Sequence, residues 1–309
     1  MSALDATRPA ALKLAQACVD LHAHLRAGDG CDLQTAQQLT AVHANDSDDI
    51  AAIRLAACML GFVPEDVHAL AQAWQAQTHR TGRFDLQAWP VEPEDFGLPT
   101  WPRERAFAPC PSALGLYAVL PDATWVERMA HAGVPTLQLR FKSDDPQAIE
   151  REVRAAVKAV QGAHALLFIN DHWQIAIDAG AYGVHLGQED MQDAPLERIR
   201  EAGLRLGLST HGYEEMRRAD AVSPSYMALG AVFPTTLKRM KTAPQGTGRL
   251  GVYAKLMRHH SLVAIGGIDV NNMHTVTQSG VGSVAVVRAI TAAPDPVAAA
   301  RELQKLLKS

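Results

Sequence analysis

In this sequence acids and amides collect where short apolar runs stop. The run at 166–169 passes straight into Asn170-Asp171, and Val184-His185-Leu186 passes into Gly187-Gln188-Glu189-Asp190. Between the two, residues 173–180 place Trp173, Ile175, Ala176, Ile177 and Ala179 as a short helix would. The unit reads strand, helix, strand, with carboxylates where two neighbouring parallel strands end, the edge at which α/β architectures do chemistry. Two carboxylates brought together there repel unless a cation sits between them, and an oxygen-ligated Mg²⁺ shared with a phosphate meets that need.

Bases stand beside these acids. In Gln138-Leu139-Arg140-Phe141-Lys142 the polar residues alternate, and a period of two sends Gln138, Arg140 and Lys142 to one side of a strand. Two cations and an amide facing the inside of a closed sheet are costly without an anion, so this is a candidate polyphosphate site. A second basic stretch holds Thr235, Thr236, Lys238, Arg239 and Lys241, followed by Ala243-Pro244-Gln245-Gly246. It is hydroxyl-rich, and Gly246 and Gly248 let it move, as a phosphate-gripping lid must. Ser209-Thr210-His211 could offer hydroxyls to a substrate or cap the next helix. Gly266-Gly267 and Val287-Arg288 follow two later apolar runs, where backbone N–H groups commonly hold a phosphate in a barrel. The inventory amounts to two anion sites at one mouth, suited to a diphosphate and a monophosphate. No Ser/His/Asp or Cys/His set accompanies them, and no lysine stands alone in an apolar strand. The expected chemistry is departure of a diphosphate, not acyl transfer.

The elements that must position these groups follow a regular alternation. Apolar runs at 116–120, 136–140, 166–170, 183–186, 204–209, 226–231, 262–265 and 282–287 read as eight strands. Helix-like stretches at 124–132, 146–161, 172–179, 194–202, 213–221, 248–259, 270–279 and 296–307 follow them in turn. That count predicts an α/β fold, a compact (β/α)8 TIM barrel over 112–309. A doubly wound sheet is the competing arrangement, but Pro121-Asp122-Ala123 is unlike its glycine-rich first turn. Residues 1–85 carry helical spacing throughout and no chemical motif, which predicts a small all-helical appendage. Six prolines within 86–111 make an extended linker between the two, with Trp89 and Trp101 as its anchors.

Composition narrows the class. The chain has 309 residues, 48% hydrophobic, and a formal net charge of −4, enough for one large domain and a smaller one. No basic face is implied, which argues against nucleic acid as a partner. The opening MSALDATRPAALKL lacks a secretory pattern, and no apolar run nears the roughly 18 residues of a membrane span. A cytoplasmic protein acting on small molecules is expected, and a homo-oligomer is compatible with the barrel's helix faces. Cys18, Cys31, Cys58 and Cys110 have no metal-ligand spacing and all precede the motifs, so no thiol chemistry is expected.

Taken together, QLRFK, FIND, GVHLGQED, the serine of GLSTH, AVFPTTLK followed by APQG, and VAIGGI resemble the thiamine-phosphate synthase (thiamine-phosphate pyrophosphorylase) family in order and approximate spacing. The likeness runs from Leu114 to about Leu307. It implies a Mg²⁺-dependent transferase that joins 4-amino-5-hydroxymethyl-2-methylpyrimidine diphosphate to 4-methyl-5-(2-phosphoethyl)thiazole, releasing diphosphate and forming thiamine monophosphate. Carried over residue by residue, it implies that Asp171 and Asp190 hold Mg²⁺ and that Arg140, Lys142, Asn170 and Lys238 hold the diphosphate. Gln138 and Ser209 would face the pyrimidine. Thr235, with Thr236 beside it, and the backbones of Gly267, Val287 and Arg288 would hold the thiazole phosphate. Arg140, Lys142, Lys238 and Ser209 are the implied catalytic groups. The chain departs from the family pattern at Leu237, where a second threonine is expected, and at Arg288, where serine is frequent.

Two other readings use the same barrel. His172, His185 and His211 lie near the mouth, and the related thiazole tautomerases move protons with a histidine; His185, inside a strand, reads instead as a core histidine. The extra helices and Leu237 motivate a non-catalytic sensor of thiamine precursors. Turnover separates these readings.

Overall fold

The structure is a computed structural model that describes residues 8–39, 46–235 and 242–308. Its centre is a closed barrel of eight parallel strands, each paired with its sequence neighbours and β1 with β8. The strands are β1 (Gly115–Leu120), β2 (Thr136–Leu139), β3 (Leu166–Asn170), β4 (Gly183–Leu186), β5 (Arg205–Thr210), β6 (Tyr226–Leu229), β7 (Ser261–Ile265) and β8 (Ser283–Val286). Four helices precede the barrel: α1 (Pro9–Leu21), α2 (Leu33–Leu39), α3 (Asp48–Met59) and α4 (Pro64–Thr81). Around it lie α5 (Ala123–His131), α6 (Pro146–Ala159), α7 (Trp173–Ala179), α8 (Gln188–Asp193), α9 (Leu196–Glu201), α10 (Tyr213–Ala221), α11 (Gly246–Leu256), α12 (Met273–Thr277), α13 (Arg288–Thr291) and α14 (Pro296–Leu307).

Local chemistry sets many helix starts. Asp122, Asp145 and Asp295 each accept a backbone N–H at the start of α5, α6 and α14, and proline fills the first turn of the latter two. Alternation then sorts the strand residues. Leu116, Leu137, Leu167, Ile169, Val184 and Leu206 face outward into the layer beneath the helices, and Tyr117, Phe168, Tyr226, Val263 and Ala285 fill the barrel as a separate core. The interior rings need space. A Cβ at Gly183 would lie 2.5 Å from the Phe168 ring and one at Gly207 2.1 Å from that of Tyr226, so two strands give up a side chain to admit two aromatics.

The N-terminal helices share one continuous buried cluster with the outer layer of the barrel. Phe62, Trp89 and Phe96 pack around Tyr213 of α10, with Phe96 stacked on its ring at 5.0 Å, and the Trp89 indole N–H donates to the Tyr213 hydroxyl at 2.9 Å. Buried Arg249 of α11 donates to the carbonyls of Leu25 at 2.8 Å and Leu60 at 2.9 Å. Helix α10 starts after Gly212, which has no side chain to cap it. Asp66 of α4 supplies the acceptor, taking the Glu214 N–H at 3.0 Å. Its carboxylate occupies the room left by the glycine, since a Cβ at Gly212 would sit 2.1 Å from Asp66 Oδ2. Burial is the main effect on Asp66 and pushes its carboxyl up to about 6.

Trp89 and Trp101 do anchor the proline-rich segment: Trp101 packs edge-on to His260 and carries the Arg103 guanidinium over its face. Arg103 and His260 in turn grip buried Asp220 at 2.7 and 2.8 Å. All four cysteines are free, although the fold brings the sulfurs of Cys31 and Cys58 to 3.6 Å, a proximity their spacing does not announce. Among the described residues no helix is long and apolar enough to cross a membrane.

Candidate active site

The ends of β2, β3 and β4 bring the expected acids, amides and bases to one arc of the rim. Register pairs Gln138 with Phe168 and Asn170 with His185. The buried Gln138 amide donates to Asn170 Oδ1 at 2.8 Å, and above this pair Lys142 Nζ lies 2.6 Å from Asp171 Oδ2. Asp171 stands at φ +63, an arrangement that costs a non-glycine residue of order 1–3 kcal/mol. A tight turn holds it there: its N–H donates to the His185 carbonyl, and the His172 N–H donates to the Asn170 carbonyl. The backbone thus turns aside to project a carboxylate over the strand ends. Arg140 continues β2 beside β1 through its N–H on the Leu120 carbonyl, and its side chain makes no hydrogen bond or ion pair with the described residues.

Gln188, Glu189 and Asp190 form the first turn of the short helix α8, an element that the apolar spacing of the sequence does not mark. Asp190 is exposed there and takes the Gly187 N–H on Oδ2 at 3.2 Å. Among the described residues no three His, Cys, Asp or Glu side chains gather as they would around a metal. Two carboxylates alone suit Mg²⁺, which is usually bound by one or two acids with substrate phosphate and water completing its shell.

Deeper in the barrel, His185 is a core histidine, as its place in a strand predicts. Its Nδ1 meets the Tyr226 hydroxyl at 2.7 Å, its Nε2 meets Ser209 Oγ at 2.8 Å, and the two tyrosine hydroxyls of Tyr226 and Tyr117 meet at 2.7 Å. The Gln188 amide also holds the Ser209 carbonyl at 2.8 Å. Of the other histidines, His211 bonds Glu215 at 2.6 Å; burial would raise that carboxyl, but the hydrogen bonds and charge from His211 outweigh it and hold it low. His172 precedes α7 without capping it.

The second candidate anion site is a matter of backbone. Gly266 and Gly267 adopt φ +106 and +66, and a Cβ on Gly267 would lie 2.6 Å from the Pro234 carbonyl oxygen, so only glycine fits where this loop meets the one after β6. Among the described residues the Gly267 N–H donates to no backbone carbonyl, while Asn272 Nδ2 fixes the Gly267 carbonyl at 3.0 Å. Val287 precedes α13, and Arg288 is its first, exposed residue. Thr235 ends the described part of the basic loop; Thr236, Leu237 and Lys238 lie outside the described residues. Past the loop, Gln245 ties its exit to the barrel through the carbonyls of His211 at 2.7 Å and Gly230 at 2.8 Å.

An eight-stranded barrel with acids and bases converging on one arc of its C-terminal rim, and a glycine-built backbone site after β7, defines the class of phosphate-handling (β/α)8 barrels. Residues 116–290 match the family model described as thiamine monophosphate synthase. A thiamine-phosphate synthase of Neisseria meningitidis is 55% identical over 200 residues, covering 65% of this chain and 98% of that protein. One from Cronobacter sakazakii is 51% identical over 200 residues, covering 65% of this chain and 95% of its own length. The solved thiamine phosphate pyrophosphorylase of Pyrococcus furiosus superposes with a TM-score of 0.56 at 28% identity, over 63% of this chain and 96% of that one. The chain belongs to the thiamine monophosphate synthase family. The family match begins in β1, after the N-terminal helices.

Sequence reasoning missed the Tyr117–Tyr226–His185–Ser209 chain. Its members come from four strands, and the one available signal was a histidine and two tyrosines at inward positions of apolar runs.

Proposed function

We propose that this chain is a transferase that joins 4-amino-5-hydroxymethyl-2-methylpyrimidine diphosphate to 4-methyl-5-(2-phosphoethyl)thiazole, forming thiamine monophosphate and free diphosphate. The observation that carries the reading is the Lys142–Asp171 pair standing directly above the Gln138–Asn170 pair at the ends of β2 and β3.

In this reading Arg140 and Lys142 grip the diphosphate, with Asn170 beside them and Lys238 of the basic loop closing over it. Asp171 and Asp190 would hold Mg²⁺, which supplies positive charge to the leaving oxygens when bound. Hard carboxylate oxygens, one of them on a strained turn facing the mouth, suit that ion. Gln138 and Ser209 orient the pyrimidine. The carbon–oxygen bond of its methylene breaks with both electrons leaving on the diphosphate, and the ring amino group feeds the cation left behind. The lone pair of the thiazole nitrogen then forms the new carbon–nitrogen bond, which leaves a thiazolium. Thr235, Thr236 and the backbones of Gly267, Val287 and Arg288 hold the thiazole phosphate so that this nitrogen is already within reach. No protein nucleophile is required.

The test is direct: the purified chain, both substrates and Mg²⁺ are mixed and thiamine monophosphate is followed, with and without chelator. Product that depends on the divalent ion supports the reading. Binding without product would leave a sensor, and isomerisation of a thiazole precursor would leave a tautomerase.

A further inference from the structure

The hydrogen-bond chain inside the barrel has a direction, and the dry end sets it. The Tyr117 hydroxyl, on a fully buried side chain, has the Tyr226 hydroxyl as its hydrogen-bond partner among the described residues. The Cys110 thiol lies close enough to influence Tyr117, but among the described residues no hydrogen bond joins the two. If Tyr226 donated to Tyr117, the Tyr117 proton would be a buried donor with no acceptor, the more expensive of the two arrangements. Tyr117 therefore donates to Tyr226. The single proton of Tyr226 is then left for His185 Nδ1, so Nδ1 is bare and the ring carries its proton on Nε2. Burial raises both tyrosine hydroxyls well above their ordinary range, so both stay protonated and the order cannot invert by ionisation. The Nε2 proton points at Ser209 Oγ, 2.8 Å away, which makes that oxygen an acceptor from below. Its own proton must go elsewhere.

We propose that Tyr117, Tyr226 and His185 form a one-way relay that fixes Ser209 as a hydrogen-bond donor into the barrel mouth, so that the site selects a substrate ring presenting an acceptor nitrogen there. The three are positioning residues, which act through Ser209. The inference rests on the proposed function only in taking Ser209 to touch the substrate; the tautomer of His185 stands apart from it.

The two parts are tested separately. Nitrogen NMR of the histidine-labelled full chain, with His185 assigned by the signals missing from His185→Gln, is expected to show a protonated Nε2 and a bare Nδ1. A proton on Nδ1 overturns the relay. In turnover assays His185→Leu is expected to lower kcat/KM for the pyrimidine diphosphate by about tenfold or more, the loss of roughly one hydrogen bond. His185→Gln keeps an N–H where Nε2 stood and recovers most of that loss, and His185→Leu costs nothing further on a Ser209→Ala background. Equal losses in the Leu and Gln variants, or losses that multiply with Ser209→Ala, overturn the proposal. The expected tautomer with full activity in Ser209→Ala would instead remove Ser209 from the substrate site, and the assignment of that residue would fall with it.

Discussion

Two arcs of the same barrel rim carry charged and polar side chains, and they are built to opposite plans. On the arc of β5 and β6 the N-terminal helices dock through Asp66, Arg249, Tyr213 and Trp89, all engaged with partners and the first three almost fully buried. On the arc of β2 to β4, the Lys142 side chain is 55% exposed, Asp190 is exposed, and the Arg140 side chain makes no hydrogen bond or ion pair among the described residues. Groups that saturate one another hold the molecule together. Groups left with spare charge facing a mouth are held for something that arrives. The same residue type, aspartate, serves as glue at position 66 and as a proposed metal ligand at 171 and 190, and burial is what separates the roles.

The sharpest break of this contrast is Asp190→Ala. With the proposed metal site reduced to one carboxylate, turnover is expected to fall by about 100-fold or more, the scale of losing a group that stabilises developing charge. The fold should be unaffected, since Asp190 contributes one long backbone contact to a six-residue helix. Unchanged steady-state rates would remove the residue from the site.

The arc proposed to do chemistry was more legible in the sequence than the arc that docks. Periodicity marked every strand to within a residue or two, and α10 and α14 coincide with the helix-like stretches, because each is a run with one buried face. The mouth residues could be read because each follows a strand, so position in the chain gives position on the rim. Helix α8 was missed, having acids and amides at most of its six positions and one buried residue, Met191. The docking contacts were beyond local reading. Asp66 looks like an ordinary first-turn acid of α4, which favours the helix dipole, yet it caps a helix 148 residues further on. Nothing in the spacing of residues 64–66 tells one use from the other.

Removing residues 1–85 breaks the comparison from the other side. Turnover should remain measurable, because among the described residues no hydrogen bond or ion pair joins that segment to the β2–β4 arc, and because the relatives from Neisseria and Cronobacter are covered almost end to end by a match of 200 residues. Stability should suffer instead, with Tm lower by about 5 °C or more as Tyr213 and the face of α11 are bared to water. Complete loss of activity in a chain that still shows cooperative unfolding would make the helices part of the site.

Asp66→Asn tests whether the docking acid is a liability in its charged form. Burial is the larger effect and holds its carboxyl near 6, with the Glu214 N–H and Arg249 pulling the other way and losing. A raised acid favours folding when protonated: its contribution is complete below about pH 4 and is lost as pH rises through 6. Asparagine keeps the acceptor for Glu214 without the charge. The variant should therefore lose the decline between about pH 4 and 6 and be more stable at pH 7.5, by about 1–3 kcal/mol for a displacement of this order. Denaturant midpoints across that range measure it, and a variant less stable at neutral pH would show that the ion is wanted.

The smallest expected effect is on the folding of Lys142→Ala. Lys142 and Asp171 meet at 2.6 Å, but with side chains 55% and 26% exposed the pair sits in high dielectric, and such pairs contribute about 0–1 kcal/mol. The turn that holds Asp171 is made by backbone contacts to His185 and His172, which the substitution leaves alone. Thermal unfolding should shift by no more than about 2 °C, while the rate falls with loss of a cation from the diphosphate site. A large loss of stability would mean that Lys142 compensates the strain at Asp171, and the mouth would then share the logic of the docking arc.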